Sequence, residues 1–306
     1  MRTPNPLPDA IAGRPFRAAE GASHGVTRQR MRASDLLRPF HGVRAHSIGS
    51  LLEAAQAYAE RMGAGHVFAA ETAARLWGLP LPSDWRQEEP LVIARPHGAT
   101  RGTGRGTRQI AYAAGLLDVG AHRGLPVLGP VATALTLARR MPHEPLVHVV
   151  DALLTDSWRY PDLELPTRPH ADPVALEAFL ARCRGHNGVP ALRAALRDAR
   201  QGVDSRWESV TRRAIVLAGF PEPEVHPLVL IDGQERRPDL GYRDLRIAIE
   251  FEGDGHRERR QWQRDIGRYA AFEAEDWIVV RATSADVRGP ATPLIQRLSA
   301  AFARRA

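Results

Sequence analysis

The stretch from Arg236 to His256 decides the fold, and it reads RRPDLGYRDLRIAIEFEGDGH. Residues alternate in character between Leu245 and Glu252, which is the period of a β-strand. The isoleucines of this segment lie on one face, and the opposite face ends in two carboxylates, Glu250 and Glu252. Glycines then end the strand, and a histidine follows at once. The sequence therefore predicts a strand that presents carboxylates at its C-terminal end.

A third carboxylate, Asp239, stands upstream of this strand, directly after a proline. Carboxylates gathered at one strand end repel each other unless a cation lies between them. A hard divalent ion such as Mg2+ is the natural occupant of such a place, and it supports metal-assisted hydrolysis of a phosphodiester. The acidic pattern therefore indicates a hydrolytic metal site.

The order Pro238-Asp239 followed by Glu250-x-Glu252 resembles the PD-(D/E)xK nuclease motif. The wider pattern resembles the Vsr-like endonuclease-domain family of actinobacteria over about the last third of the chain. The further motifs that carry this resemblance are Trp207-Glu208-Ser209, Ala218-Gly219-Phe220-Pro221, Gly253-Asp254-Gly255-His256, Arg264-Asp265 and Trp277-x-Val279-Val280-Arg281. The family implies a small α/β fold with a helix, a mixed sheet that carries the acidic residues, a second helix and a last strand.

The resemblance implies that Asp239, Glu250 and Glu252 hold Mg2+ (or Mn2+). Glu252 has two other interpretations, since it stands where the motif has a lysine and it could instead pair with an arginine. Glu208 matches the acid that the motif carries on a helix, so it is a further candidate catalytic residue and an alternative ligand of the ion. An acid in the first turn also interacts favourably with the helix dipole, so a structural role for Glu208 stays open.

The general base is the part of the motif that this sequence replaces. The chain contains no lysine, so all 42 basic residues are arginine. His256 is the best candidate for the base, because a histidine accepts a proton near neutral pH. Gln263 could only orient the water, and Asp265 could orient His256 or an arginine.

Arginines of the same region are candidates for contacts with a phosphate backbone. They are Arg237, Arg259, Arg260, Arg264 and Arg268. A net charge of +7 and a pI near 10.5 favour a polyanionic partner such as DNA. Two other interpretations stay open: a salt-bridged helix face, and the arginine-rich composition of a GC-rich genome.

Composition limits the class of protein. A chain of 306 residues with 43% hydrophobic residues is long enough for two domains. The single cysteine, Cys183, excludes an internal disulfide framework and a cysteine-rich zinc site. No apolar run reaches the roughly 20 residues of a membrane span, and the N-terminus has no apolar signal-peptide core. We therefore expect a cytoplasmic protein with no membrane partner.

The first half is expected to form a smaller α+β module. Helical spacing of apolar residues covers 50–62 and 69–77, and 91–94 and 109–113 have strand character. The glycine- and arginine-rich segment between these strands lacks the ending of a phosphate-binding loop. We interpret it as an arginine-bearing hairpin tip that could contact a nucleic-acid backbone.

This module resembles the AbiEi-type antitoxin family. The resemblance rests on Phe68 to Pro80, on the segment that begins at Gly124, and on Val150 to Leu154. That family often opens with a winged helix-turn-helix, of which only Leu37 to Val43 resembles a part, the wing. The resemblance implies a possible protein partner through this module, and the oligomeric state stays open.

The expected order of segments follows from these patterns. Residues 1–30 are rich in Pro, Gly, Arg and Ala without periodicity and are predicted to be a disordered tail, with a DNA-touching arm as the alternative. The AbiEi-like α+β module follows at 31–155, then a linker and helical connector at 156–203, and the Vsr-like endonuclease domain at 204–306. Within that domain, Ser205 or Asp204 caps a helix whose core face is expected to carry Val210, Ala214, Leu217 and Ala218. Asp232-Gly233 predicts a hairpin turn.

The fold class expected from the whole chain is α/β (α+β), with a restriction-endonuclease-like mixed sheet flanked by helices in the C-terminal part. The first functional hypothesis is a Mg2+-dependent endodeoxyribonuclease that hydrolyses phosphodiester bonds. The alternative is a non-catalytic DNA-binding or antitoxin-like regulator that retains a nuclease fold. Only the first needs a divalent ion at the acidic cluster.

Overall fold

The structure, a computed structural model, describes residues 4–99, 104–113, 115, 117–253 and 269–306. It confirms the mixed α/β class. Two compact units take their residues from different parts of the chain: unit 1 from 1–146, 162–166 and 174–194, and unit 2 from 147–161, 167–173 and 195–306. None of the helices in the described ranges is long and apolar enough to cross a membrane.

Unit 1 begins with structure that the sequence did not predict. The disordered tail expected at 1–30 is wrong for residues 4–30, which contain β1 (Phe16–Arg17) and α1 (Ala18–Ser23). Ile11 and Phe16 are fully buried. They pack in a small hydrophobic cluster with Leu7 and with residues further along the chain, including Met31 and Leu36. A local pattern cannot show these later partners.

A five-stranded sheet forms the centre of unit 1, in the order β5-β4-β3-β7-β6. Its strands are β3 (Val67–Phe68), β4 (Leu91–Pro96), β5 (Thr107–Tyr112), β6 (Val119–His122) and β7 (Leu125–Leu128). A separate strand, β2 (Val43–Arg44), pairs with β1. A 3-10 turn lies at Arg30–Arg32. The helices between residues 51 and 198 are α2 (Leu51–Ala59), α3 (Ala70–Leu76), α4 (Pro130–Leu137), α5 (His143–Leu154), α6 (Pro173–Arg182) and α7 (Val189–Asp198).

The connection between β4 and β5 corrects the hairpin interpretation. The two strands pair in parallel, with Leu91 opposite Thr107, so the segment between them returns across the sheet and is not the tip of a hairpin. The described part of the connection, Gly104 to Gly106, contacts other loops of unit 1, and residues 100–103 lie outside the described ranges.

Unit 2 contains a four-stranded sheet in the order β13-β12-β11-β8. Its strands are β8 (Glu224–Val225), β11 (Leu240–Tyr242), β12 (Ile247–Glu252) and β13 (Ile278–Thr283). The hairpin predicted at Asp232-Gly233 is confirmed and joins β9 (Val229–Ile231) to β10 (Gln234–Arg236). Around these strands lie α8 (Arg206–Leu217), α9 (269–274), α10 (Ser284–Val287) and α11 (Thr292–Ala303).

The alternation predicted for the acidic strand is confirmed, and β12 is covered on both faces. Ile247 and Ile249 lie in the same hydrophobic cluster as Leu294 of α11. Ala248, on the other face, packs in a second cluster with Phe272. β12 runs antiparallel to β11 and parallel to β13, so it is an interior strand of the sheet. A central position of this kind fixes the backbone that presents Glu250.

The inward face of α8 differs in part from the expectation, because Val210 and Ala214 pack against the core as expected, whereas Leu217 and Ala218 are exposed. Leu217 is 63% exposed, whereas the fully buried side chains include Arg212. Its guanidinium lies 3.0 Å from the carboxylate of Asp151, and both side chains are fully buried. Glu222 accepts a second hydrogen bond from Arg212 at 2.7 Å. The helix therefore buries a polar face because ion-pair partners on other segments satisfy it.

Candidate active site

The pairing of β11 with β12 brings Asp239 and Glu250 together. Leu240 lies opposite Ile249 in this antiparallel ladder, so the preceding residue on one strand adjoins the following residue on the other. The backbone N–H of Phe251 donates a hydrogen bond of 2.7 Å to Oδ2 of Asp239. Two of the three carboxylates predicted from the sequence as metal ligands, Asp239 and Glu250, thus meet at one end of the sheet, and the backbone of β12 holds Asp239.

Burial and charge make this pair costly when both carboxylates are ionised. Glu250 is only 4% exposed. Burial, then the negative charges of Glu250 and Glu208, raise the pKa of the Asp239 carboxyl to about 7. The hydrogen bond from Phe251 and the charge of His226 act in the opposite direction. Near neutral pH the pair is therefore stabilised by a proton or by a cation.

Glu208 has a structural task that the sequence left open. Ser205 caps α8, and its hydroxyl accepts from the Glu208 N–H at 3.2 Å and donates to Glu208 Oε1 at 2.9 Å. The Asp204 N–H donates to Glu208 Oε2 at 2.9 Å. Ser205 and Glu208 are thus bonded to each other in both directions at the start of the helix, and Glu208 reaches back to the N–H of the residue before the N-cap. Both oxygens of Glu208 accept hydrogen bonds, so its carboxylate is oriented by the helix cap.

His226 is a site residue that the sequence reasoning missed. Its Nε2 lies 3.2 Å from Glu208 Oε2 and 3.6 Å from Asp204 Oδ1. Its backbone N–H donates to the carbonyl of Asp239 at 3.1 Å. Burial lowers the pKa of the imidazole, but the hydrogen bond and charge of Glu208, with the charges of Asp204 and Asp239, outweigh burial and raise the pKa. The surrounding carboxylates therefore favour the protonated form of His226.

The backbone of His226 is also unusual. Its φ of 46° lies in the left-handed region, which costs free energy for a residue with a side chain. The residue follows β8 directly and precedes Pro227. In the sequence, His226 is marked only by its position between a short strand and a proline. The pairing of β8 with β11 is what brings it to Asp239.

Glu252 contacts a tyrosine and an arginine. The hydroxyl of Tyr269 donates to Glu252 Oε1 at 3.3 Å, and Arg281 Nη1 is 3.4 Å from the same oxygen. The contact with Arg281 matches the arginine pairing, one of the three interpretations that the sequence left open for Glu252.

The donor set fits a hard cation in part. Asp239 and Glu250 supply oxygen ligands, and Mg2+ typically takes one or two carboxylates and keeps several waters. Within the described ranges, no group of three or more His, Cys, Asp and Glu side chains has the geometry to hold a metal ion. The proposed base His256, with Gln263 and Asp265, lies outside the described residues.

The basic residues predicted to bind nucleic acid are represented by one described member. Arg237 is exposed two positions before Asp239. Arg259, Arg260, Arg264 and Arg268 lie outside the described residues. Next to the acids, the rings of Trp207 and Phe251 stack with their centroids 5.6 Å apart. The guanidinium of Arg206 lies 5.2 Å from the centre of the Trp207 ring, and that of Arg288 lies 6.0 Å from it.

Comparison with known proteins gives relatives of the whole chain. No protein-family model matches the chain. Two curated relatives from Mycobacterium tuberculosis, named Uncharacterized protein MT2308 (strain CDC 1551 / Oshkosh) and Uncharacterized protein Rv2248 (strain ATCC 25618 / H37Rv), are each 27% identical over 282 residues. Each match covers 90% of this chain and 96% of the relative. The crystal structure of the RV2827C protein from Mycobacterium tuberculosis matches with a TM-score of 0.39 and 17% identity, over 70% of this chain and 79% of that chain.

Proposed function

We propose that unit 2 is a metal-dependent DNA endonuclease, as the Vsr-like resemblance of its sequence implies. One observation carries the proposal: Asp239 and Glu250 adjoin at one end of the sheet, and the Phe251 N–H holds Asp239 in place at 2.7 Å. Two adjoining, shielded carboxylates offset a hard cation well and tolerate each other poorly without one.

In this proposal Asp239 and Glu250 hold Mg2+ or Mn2+ through their oxygens. A divalent ion so held lowers the pKa of a bound water and offsets negative charge on the phosphoryl group. Arg237, exposed beside Asp239, holds a backbone phosphate of the DNA. His256 acts as the general base, the role proposed for it from the sequence.

His226 acts as a positioning residue in this proposal. Its positive charge lies against Glu208 and lowers the cost of ionising Asp239. Asp239 is a ligand only when ionised, so His226 and Glu208 together adjust the affinity of the pair for a cation. Glu208 acts through His226 and through the helix cap and does not itself coordinate metal in this proposal.

The experiment is cleavage of supercoiled plasmid with Mg2+ or Mn2+, and with EDTA as the metal-free arm. Asp239→Asn and Glu250→Gln remove the charges at nearly constant shape, and Asp244→Asn is the matched control because Asp244 is an exposed acid in the β11–β12 connection. The proposal expects metal-dependent nicking that both site variants lose and the control keeps. Nicking that survives in both variants, or that persists in EDTA, contradicts it.

A second candidate function, a non-catalytic DNA-binding or antitoxin-like regulator, has one observation in its favour. His226 already offsets part of the negative charge, and both oxygens of Glu208 are engaged in the helix cap. A protein of this kind binds DNA without a divalent ion. Salt-sensitive DNA binding in EDTA combined with no cleavage in Mg2+ or Mn2+ would favour this function over the first.

The N-terminal module enters the proposal as an AbiEi-like unit that could bind a protein partner. A pull-down of defined partner candidates is less direct than the DNA experiments. Substitutions confined to one unit or to the other therefore test first what each unit contributes to DNA binding and cleavage.

A further inference from the structure

Unit 1 contains a basic pocket that plays no part in the acidic site. Its volume is about 780 Å³. Four arginines and a histidine line it: Arg38, Arg44, Arg61, Arg105 and His41. No carboxylate is among its described lining residues, and no ion pair joins these arginines to a described acid. Positive charges gathered without anions favour an anionic ligand.

Packing of backbone and aromatic groups holds the pocket together. Leu37 and Ala45 form an antiparallel bridge with an N–H···O distance of 2.7 Å, which closes the loop that carries Arg38. The segment with Arg105 lies against this loop, because a Cβ on Gly106 would be 3.4 Å from the ring of Phe40. Phe40 in turn packs edge-on against Tyr58, with the ring centroids 5.1 Å apart.

Two of the arginines are fixed by further contacts. Arg44 donates from Nε to the carbonyl of Met31 at 2.8 Å. Burial and the charge of Arg38 lower the pKa of Arg44, which shows how closely the cations are gathered. The guanidinium of Arg61 lies 6.0 Å from the centre of the Tyr58 ring. The pocket is therefore preorganised, with Arg38 and Arg105 as its exposed members.

A second pocket of about 280 Å³ adjoins the first and shares Arg38, Pro39 and Phe40 with it. Its lining is different in character. Trp85, Leu37 and other apolar side chains contribute to it, together with Glu88 and Glu89. These two carboxylates disfavour the binding of a phosphate in the second pocket, so this pocket suits a neutral, flat group. The first pocket thus suits an anion, and the adjoining pocket suits a neutral ring.

We propose that this double pocket binds a nucleotide unit of a single-stranded nucleic acid, with the phosphate among the arginines and the base beside Trp85 and Phe40. Proteins that bind single strands combine a cationic groove with aromatic side chains on which bases stack. A base paired within a duplex is not free to enter the second pocket. The proposal concerns binding alone and does not depend on cleavage by unit 2.

The test is fluorescence anisotropy of a labelled oligothymidylate and of a duplex of the same length, in EDTA so that cleavage does not contribute. We expect the single strand to bind more tightly than the duplex. Arg38→Ala with Arg105→Ala should weaken single-strand binding about tenfold or more and reduce the slope of log K against log salt by about 0.7, the value for one phosphate that is no longer neutralised. Arg140→Ala with Arg184→Ala, two exposed arginines outside the pocket, is the control and should change neither value.

Trp85→Leu and Trp85→Phe test the base pocket. Removal of one stacking partner should weaken single-strand binding about tenfold in the leucine variant, with the salt slope unchanged, and the phenylalanine variant should restore most of it. Circular dichroism melts of each variant exclude unfolding. Equal affinity for strand and duplex together with no effect of Trp85→Leu, or wild-type affinity in the double arginine variant, overturns the proposal. Thymidine monophosphate serves as competitor, and displacement at concentrations equal to the oligonucleotide would identify a free nucleotide and overturn the single-strand assignment.

Discussion

His226 Nε2 lies 3.2 Å from Oε2 of Glu208, so an imidazole from the end of β8 meets a carboxylate from the first turn of α8. Glu208 is oriented by the helix cap, and the backbone of His226 is bonded to Asp239. This contact connects the stability of the helix start with the ionisation of the acidic pair.

The contact predicts a pH dependence of stability. The pKa of His226 is raised above its ordinary value of 6.5 in the folded protein. A raised histidine pKa contributes stability that is fully present below pH 6.5 and is lost as the pH rises through the folded pKa. Urea unfolding of wild type and His226→Gln between pH 6 and pH 9 should show their difference largest at the acidic end. A difference that grows towards alkaline pH contradicts the assigned pairing.

Asp239 should destabilise the metal-free protein at alkaline pH. Its pKa is raised from an ordinary 3.8 to about 7, so stability is greatest when the group is protonated and falls as the pH rises from 3.8 through 7. Asp239→Asn should therefore be more stable than wild type at pH 8 in EDTA, by about 2–4 kcal/mol. Urea denaturation measures this, with Asp244→Asn as control. Lower stability of Asp239→Asn under these conditions would mean that the acidic pair is already compensated without a cation.

The buried ion pair between Arg212 and Asp151 predicts a large effect of one substitution. Both side chains are fully buried at 3.0 Å, so Arg212→Ala leaves an uncompensated charge and should cost about 3–5 kcal/mol of unfolding free energy. Arg297→Ala is the control, since Arg297 pairs with Asp286 at 2.8 Å but is 44% exposed, and it should cost at most about 1 kcal/mol. Similar costs for the two variants would contradict the assigned burial of the Arg212 pair.

The orientation of α8 predicts a contrast between two leucines. Leu217 is 63% exposed, and Leu217→Gln should change stability by less than about 0.5 kcal/mol. Leu294 of α11 is fully buried in the core of unit 2, and Leu294→Ala should cost about 2–5 kcal/mol. Thermal or urea unfolding distinguishes this arrangement from one in which Leu217 faces the core.

Local patterns predicted the elements of unit 2 well. The alternation around Ile247 and Ile249 follows from strand geometry, which places successive side chains on opposite faces of the sheet. The turn at Asp232-Gly233 needs two residues with positive φ, which the structure shows at 52° and 66°. Ser205 caps α8 as its side chain and spacing indicate. Periodicity and cap chemistry are properties of neighbours in sequence, so the sequence alone carries them.

Partners that lie far apart in sequence account for what was missed. Leu217 looked like a core residue because the ion-pair partner that draws Arg212 inward, Asp151, stands 61 residues away. His226 reaches Asp239 only through the pairing of β8 with β11. The first residues of the chain lacked periodicity, yet Ile11 and Phe16 find apolar partners further along the chain. Within the acidic site, Asp239 and Glu250 were predictable because their motif spacing matches two adjoining strands.

Calorimetric titration with Mn2+, and in parallel with Mg2+, tests the central claim most directly. It measures cation binding by Asp239 and Glu250 independently of any DNA cleavage. Wild type and Asp244→Asn should each bind the ion, and Asp239→Asn and Glu250→Gln should each lose that binding. Wild-type binding by both site variants, or no binding by the folded wild type, would contradict the assignment of this pair as a cation site.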